Sequence, residues 1–193
     1  MDSSISHRHF VIHKPYGYIS QFVNPHKRKK PLLGELYDFP EGTMAIGRLD
    51  VNSEGLLLLT TDGKVSEQIR SSKFEKEYYV QVDGIIDEEA IEKLKCGVEI
   101  GINGKKYLTK PCKAFILSGA PNFPERSRRI RDEAAHGPTS WASIVINEGK
   151  FRQVRKMTAA VGFPTLRLIR VRIGDILLGS IHSGEVIEVD TLG

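Results

Sequence analysis

GRLDVNSEGLLLLTTDG, residues 47–63, sets a polar loop directly in front of four consecutive leucines. Residues 55–63 predict a buried strand closed by an Asp-Gly turn, because an unbroken apolar run leaves no face for solvent. In the loop before it, Asp50 follows Arg48 by two positions, which holds the acid near an apolar wall and beside a cation. Taken by themselves these residues favour a structural acid that caps a turn or pairs with Arg48. A helix is expected to follow over 64–71.

Outward from this stretch the pattern alternates between strands and short helices. Residues 10–23 read as a strand, a Pro-x-Gly turn at Pro15–Gly17 and a second strand. Residues 76–84 (KEYYVQVDG) alternate as a half-buried strand, so Tyr78 and Tyr79 point to opposite faces. Asp87–Lys95 carries Ala90, Ile91 and Leu94 at helical spacing, with acids in the first turn where the helix dipole favours them. Residues 118–139, with Pro and Gly at both ends and no sustained period, form a long basic surface insertion. WASIVINEG is a strand. Residues 150–162 predict a helix that buries Phe151, Val154, Met157 or Thr158, and Val161, and gathers Arg152, Arg155 and Lys156 on its other face. The chain closes with TLRLIRVRIGDILL, an alternating strand whose arginines share one side, and GEVIEV, another strand. The fold class is therefore α+β: a mixed, mainly antiparallel sheet with flanking helices, and not the regular winding of a dinucleotide fold.

Composition narrows the function. The 193 residues are 40% hydrophobic, ordinary for a globular chain. No window is apolar enough to span a membrane and MDSSISHRH lacks a signal-peptide core, so a cytoplasmic protein is expected. Cys96 and Cys112 lack ligand spacing and read as reduced packing residues. No nucleotide-binding glycine fingerprint occurs. Charge is uneven: residues 126–172 hold 11 Lys or Arg against three acids, a net +8 in a chain whose total is +4. Outside that stretch the one basic block is HKRKK, residues 26–30. A polyanion, foremost a nucleic acid, is the physical explanation of such clustering.

Residues 47–63 resemble the signature of the pseudouridine synthases, in the branch that modifies ribosomal RNA, where G-R-L-D and S/T-E-G-L-L-L-L-T-x-D-G surround a catalytic aspartate. The resemblance extends through HKPYG (13–17), KEYYV (76–80) and residues 148–178, and PTSW (138–141) with RQVRKMTAAVGFPTLRLIR (152–170) is worded like a large-subunit type. It implies the pseudouridine synthase catalytic fold with a central cleft, here a single catalytic domain over 10–193 whose two subdomains flank that cleft, after a tail of residues 1–9. Only those nine residues precede the first strand, so no S4 RNA-binding domain is expected and anchoring falls to the catalytic domain.

By the same resemblance Asp50 is the catalytic carboxylate, Tyr78 the active-site tyrosine, with Tyr79 the weaker choice, and Arg155 the basic group that pairs with the aspartate. Arg48 occupies the space left by a flipped base. Lys14, Arg152, Gln153, Lys156, Arg167 and Arg170 are the other expected RNA contacts, Arg152 standing where many relatives have His. The implied reaction detaches uracil from the ribose, turns it and rejoins it through C5, with Asp50 attacking the sugar or removing its 2′ proton. It requires no cofactor and no metal. The expected partner is 23S ribosomal RNA, at a uridine of the peptidyl-transferase region, or a large-subunit assembly intermediate, met by a monomer away from membranes. Three alternatives stand beside this: the same reaction at another rRNA uridine, a non-catalytic RNA-binding assembly factor, and a retaining glycosidase using Asp50 and Glu54.

Overall fold

The computed structural model describes residues 6–24, 29–71, 74–126 and 128–192. Residues 26–28 of the basic block lie outside them. The chain divides into two compact units, residues 1–74 with 175–193, and residues 75–174.

The first unit is built on the leucine strand. β1 (His9–Lys14), β2 (Met44–Ile46) and β3 (Glu54–Thr60) are followed by α1 (Gly63–Ser71). β1 pairs antiparallel with β3, His9 opposite Thr60 and Lys14 opposite Gly55, and β2 pairs antiparallel with the end of β3. All seven residues of β3 are buried, and each of its four leucines contributes about 1.5–3 kcal/mol of transfer free energy. The Asp-Gly pair closes this strand by starting a helix: the Asp62 carboxylate accepts from Lys64 N at 2.8 Å and from Val65 N at 3.4 Å, so α1 begins at Gly63. The second strand expected within residues 10–23 does not form. Beyond Gly17 only Ile19 makes a β-bridge, to Leu32, and that bridge is parallel. Ser20, which would continue it, turns its hydroxyl to another loop.

The second unit runs through β4 (Lys76–Asp83), α2 (Glu88–Cys96), β5 (Glu99–Ile102), β6 (Lys105–Leu108), β7 (Lys113–Ile116), α3 (Glu133–His136), β8 (Thr139–Ile146), α4 (Gln153–Ala160) and β9 (Thr165–Ile173). Its sheet has the order β9-β4-β8-β7, every pair antiparallel, and β5 and β6 form a separate hairpin. The chain then returns to the first unit as β10 (Ile176–Leu177) and β11 (Val186–Val189), the latter antiparallel to β1.

Tyr78, Val80 and Val82 of β4 are buried while Tyr79 and Gln81 are partly exposed, the alternation expected of this strand. α2 carries Asp87 as its N-cap, the carboxylate accepting from Ala90 N, and buries Ala90, Ile91 and Leu94 as their spacing requires. The insertion is not structureless: α3 lies within it, Arg131 reaches Asp83, and Arg126 donates to Leu166 O. α4 is shorter than expected, because Arg152 adopts a left-handed conformation (φ 53°, ψ 33°) and the helix begins after it. Phe151 is thereby excluded from the buried face and is 64% exposed. Cys96 is exposed, against its expected packing role, whereas Cys112 is half-buried and burial pushes its thiol up to about 11.

The turn after α2 offers a sharp test of this packing. Gly97 has φ +95°, and a Cβ there would lie 2.3 Å from the Thr109 carbonyl oxygen, a backbone atom held by Thr109 N donating to Val98 O. Gly97→Ala therefore combines left-handed strain with a clash that no side-chain rotation relieves, and should cost about 2–4 kcal/mol. Chemical denaturation should show the midpoint falling with an unchanged m value.

Candidate active site

Asp50 and Arg48 belong to the first unit, on the loop that enters β3. Leu49 between them is buried, and its backbone is clamped at both ends by one hydroxyl: Leu49 N donates to Ser20 Oγ at 3.0 Å, and Ser20 Oγ donates to Leu49 O at 2.7 Å. Gly17 N donates to Val51 O at 2.8 Å, and Ser53 N donates to Asp50 O at 2.9 Å. Residues 49, 50 and 51 are thus each tied by the main chain. With Leu49 committed to the core, Asp50 is left half-buried and Arg48 exposed.

The HKPYG segment supplies this support. Gly17 reaches Val51 from a φ of +91°, a conformation that favours glycine. Lys14 is completely buried, and its ammonium donates to Pro15 O at 2.8 Å and Tyr18 O at 2.9 Å. The expected RNA contact by Lys14 is corrected accordingly, since an inaccessible ammonium that holds the carbonyls of a turn cannot also meet a phosphate. Ser20 and Gly17 escaped the sequence reading as site residues; the turn signal at Pro15–Gly17 was the available clue. Ser20→Ala should remove the clamp and cost about 1–2 kcal/mol in thermal melts.

In the second unit, Tyr78 lies across the ladder from Arg170 on β9 and Ile144 on β8. Directly opposed residues share a face, so Arg170 stands on the side of Tyr78. Lys76, two positions before Tyr78, is on that side too, and burial together with the Arg170 charge lowers its ammonium pKa. The other arginines of β9 lie on the opposite side: Arg167 is across from Gln81, and Arg172 is across from Glu77, whose carboxylate accepts from Arg172 Nε at 3.0 Å. A bulge between the Glu77 and Tyr78 positions breaks the alternation. The expectation that these arginines share one side is therefore corrected. Tyr79 faces away from Tyr78 and meets Phe123 edge-on at 6.4 Å.

Several of the other expected contacts are buried too. Gln153 is 3% exposed; its Oε1 accepts from Lys150 N at 2.9 Å and its Nε2 donates to Glu148. Arg167 is 7% exposed and donates to Pro124 O at 2.9 Å, and Arg170 is 4% exposed. These side chains organise the unit, and direct RNA contact by Gln153 and Arg167 is not what their bonding provides. Arg152, Arg155 and Lys156 are partly exposed. The positive charge of residues 126–172 is also partly committed internally, Arg131 to Asp83 and Arg172 to Glu75 and Glu77.

A family model for RNA pseudouridylate synthase matches residues 8–160, which takes in the Asp50 loop, Tyr78 and Arg155. The chain belongs to this RNA pseudouridylate synthase family. Among curated relatives, the ribosomal large subunit pseudouridine synthase E of Vibrio parahaemolyticus is 43% identical over 183 residues, covering 93% of this chain and 72% of its own. The protein of the same name from Xanthomonas axonopodis is 41% identical over 167 residues, 86% of this chain and 85% of its own. A crystal structure of a pseudouridylate synthase superimposes with a TM-score of 0.73 at 30% identity, over 95% of this chain and 70% of that one. The mainly antiparallel α+β fold is thus that of pseudouridylate synthases. Among the described residues no helix is long and apolar enough to cross a membrane, and no group of three or more His, Cys, Asp or Glu could hold a metal ion.

Proposed function

We propose that this enzyme isomerises a uridine of large-subunit ribosomal RNA to pseudouridine, acting in the cytoplasm as a monomer. The observation that carries the reading is the near-full-length similarity to relatives named ribosomal large subunit pseudouridine synthase E. The specific target is a uridine in the peptidyl-transferase region of 23S rRNA, presented as naked RNA or in an assembly intermediate.

Asp50 serves as the catalytic carboxylate. The N1–C1′ glycosidic bond breaks, the uracil turns, a C5–C1′ bond forms, and the proton of C5 is released as N1 gains one, so no redox equivalent is consumed. Asp50 starts this by attacking C1′ or by taking the 2′ proton. Tyr78 offers the turning uracil a flat apolar face with a hydroxyl at its rim. Arg48 takes the place of the extruded base, offsetting the few kcal/mol that unstacking costs.

The test is tritium release from 23S rRNA transcribed with 5-tritiated uridine, followed by reverse transcription after carbodiimide treatment. One stop in the peptidyl-transferase region is expected. No release from 23S rRNA would overturn the reading, and a stop elsewhere would relocate the target.

A further inference from the structure

Phe151 occupies an unusual position for a large apolar residue. The sequence period assigns it to a core-facing stripe, yet it sits 64% exposed in the turn before α4, which forgoes most of the 1.5–3 kcal/mol that burial of such a side chain contributes at about 25 cal/mol per Å². The turn around it is hydrogen-bonded. Gln153 closes it from both ends, its side chain accepting from Lys150 N and its own N–H donating to Lys150 O at 3.1 Å. Arg152, next to Phe151, holds a left-handed conformation that costs a non-glycine residue about 1–2 kcal/mol.

One cation stands at the ring and a second lies in the same neighbourhood. The Lys156 ammonium stands 5.3 Å from the Phe151 centroid and is fixed by donating to Gly101 O at 2.6 Å. Exposed Lys150 places its ammonium 5.0 Å from the Tyr107 ring. The acid of this neighbourhood, Glu148, is occupied by the Tyr107 hydroxyl, Lys110 N at 3.0 Å and the Gln153 amide. An exposed aromatic ring with an ammonium beside it and a second, exposed lysine in the adjacent position of the chain fits a nucleobase and its phosphate, and it fits an apolar peptide less well, since such a partner brings no counterpart for those charges.

We infer that Phe151 is a stacking platform for an unpaired base of the substrate RNA, with Lys150 and Arg152 taking the phosphates beside it. The inference rests on the RNA substrate proposed above and adds a contact that helps select where on the RNA the enzyme settles. Burial of that base against Phe151 orders the strand without entering the chemistry, so its loss acts on Kd and KM and not on kcat.

The experiment measures Kd by filter binding to an unmodified 23S rRNA transcript and to a single-stranded uridine-rich oligonucleotide, for the parent protein and for Phe151→Ala, Phe151→Leu and Phe151→Tyr. Stacking predicts that Ala and Leu both weaken binding by about 5- to 100-fold, while Tyr stays within about twofold. Thermal midpoints should remain within about 2 °C, because the ring is exposed. Lys150→Ala should lower the slope of log K against log salt by about one. Unchanged affinity in Phe151→Ala, or full recovery by Leu, overturns the inference. Tritium release by the parent protein is scored separately, so an enzyme that binds the transcript without releasing tritium would refute the proposed reaction while leaving the Kd comparison to decide the role of Phe151.

Discussion

Asp50→Asn should reduce tritium release from 23S rRNA by about 10³-fold or more while leaving the protein folded and able to bind RNA. The substitution preserves shape and hydrogen-bonding capacity and removes only the negative charge, and an amide neither adds to C1′ nor takes a proton from C2′. The fold does not depend on that charge through the main chain: Leu49 is clamped by Ser20, Val51 by Gly17, and Asp50 accepts from Ser53 N through its carbonyl oxygen, which asparagine retains. A thermal midpoint measured on the same variant separates loss of the charge from loss of the fold. Asp50→Glu provides the complementary measurement. It restores the charge but displaces the carboxylate by one methylene, and with the loop backbone tied at three consecutive residues the displacement cannot be absorbed, so a loss of at least about 10²-fold should persist. Release equal to the parent in Asp50→Asn would remove this residue from the mechanism.

The elements that the sequence made legible are those where one physical rule acts alone. Four adjacent leucines have nowhere to go but a strand covered on both sides, and β3 is wholly buried. Asp87 ahead of Glu88 and Glu89 is an N-cap with a dipole-matched first turn, and α2 begins there. Strict alternation through KEYYVQVD separated Tyr78 from Tyr79 without further information. The failures came where a second rule cut across the first. Phe151 and Val154 are three apart, which satisfies the helical period, but the left-handed Arg152 between them ends the helix before Phe151 can join it. Arg167 and Arg170 are three apart, so alternation by itself puts them on opposite sides of β9, and the bulge in the last interval moves Arg172 to the side of Arg167, leaving Arg170 alone on the side of Tyr78.

The candidate site divides in the same way. Motif wording names Asp50, Arg48, Tyr78 and Arg155 as the reacting group, whereas several of the other residues expected at the RNA direct their charge or amide to the interior. Gln153 braces the turn before α4, Arg167 ties the insertion through Pro124 O, and Lys14 holds a turn. A basic residue within an amphipathic strand normally lies on the solvent side, but β1 is buried on all six residues and has no such side. Nothing in the local sequence distinguishes the two cases, because the surroundings of β1 come from segments distant in the chain: β3 and β11 flank it in the sheet, and Tyr37 and Phe39 pack on Phe10.

Lys14→Met discriminates between the two roles with a large effect. Methionine fills a similar volume without an ammonium, so the Pro15 and Tyr18 carbonyls lose a charged donor at 2.8 and 2.9 Å in a part-buried turn. Each carbonyl left without a partner costs about 1–3 kcal/mol, and a total near 3 kcal/mol is expected. For a chain of this size that lowers the thermal midpoint by about 6–12 °C. The damage should also propagate along a defined route. Lys14 holds the turn that contains Gly17, Gly17 N fixes Val51, and Val51 adjoins Asp50. At temperatures where the variant remains folded, kcat should fall while the salt dependence of RNA binding keeps its parental slope. A Lys14 that contacted phosphate would give the opposite pair of results, a slope reduced by about one and a midpoint unchanged. Those two measurements on one variant decide whether the HKPYG lysine reads the RNA or holds the loop that carries the carboxylate.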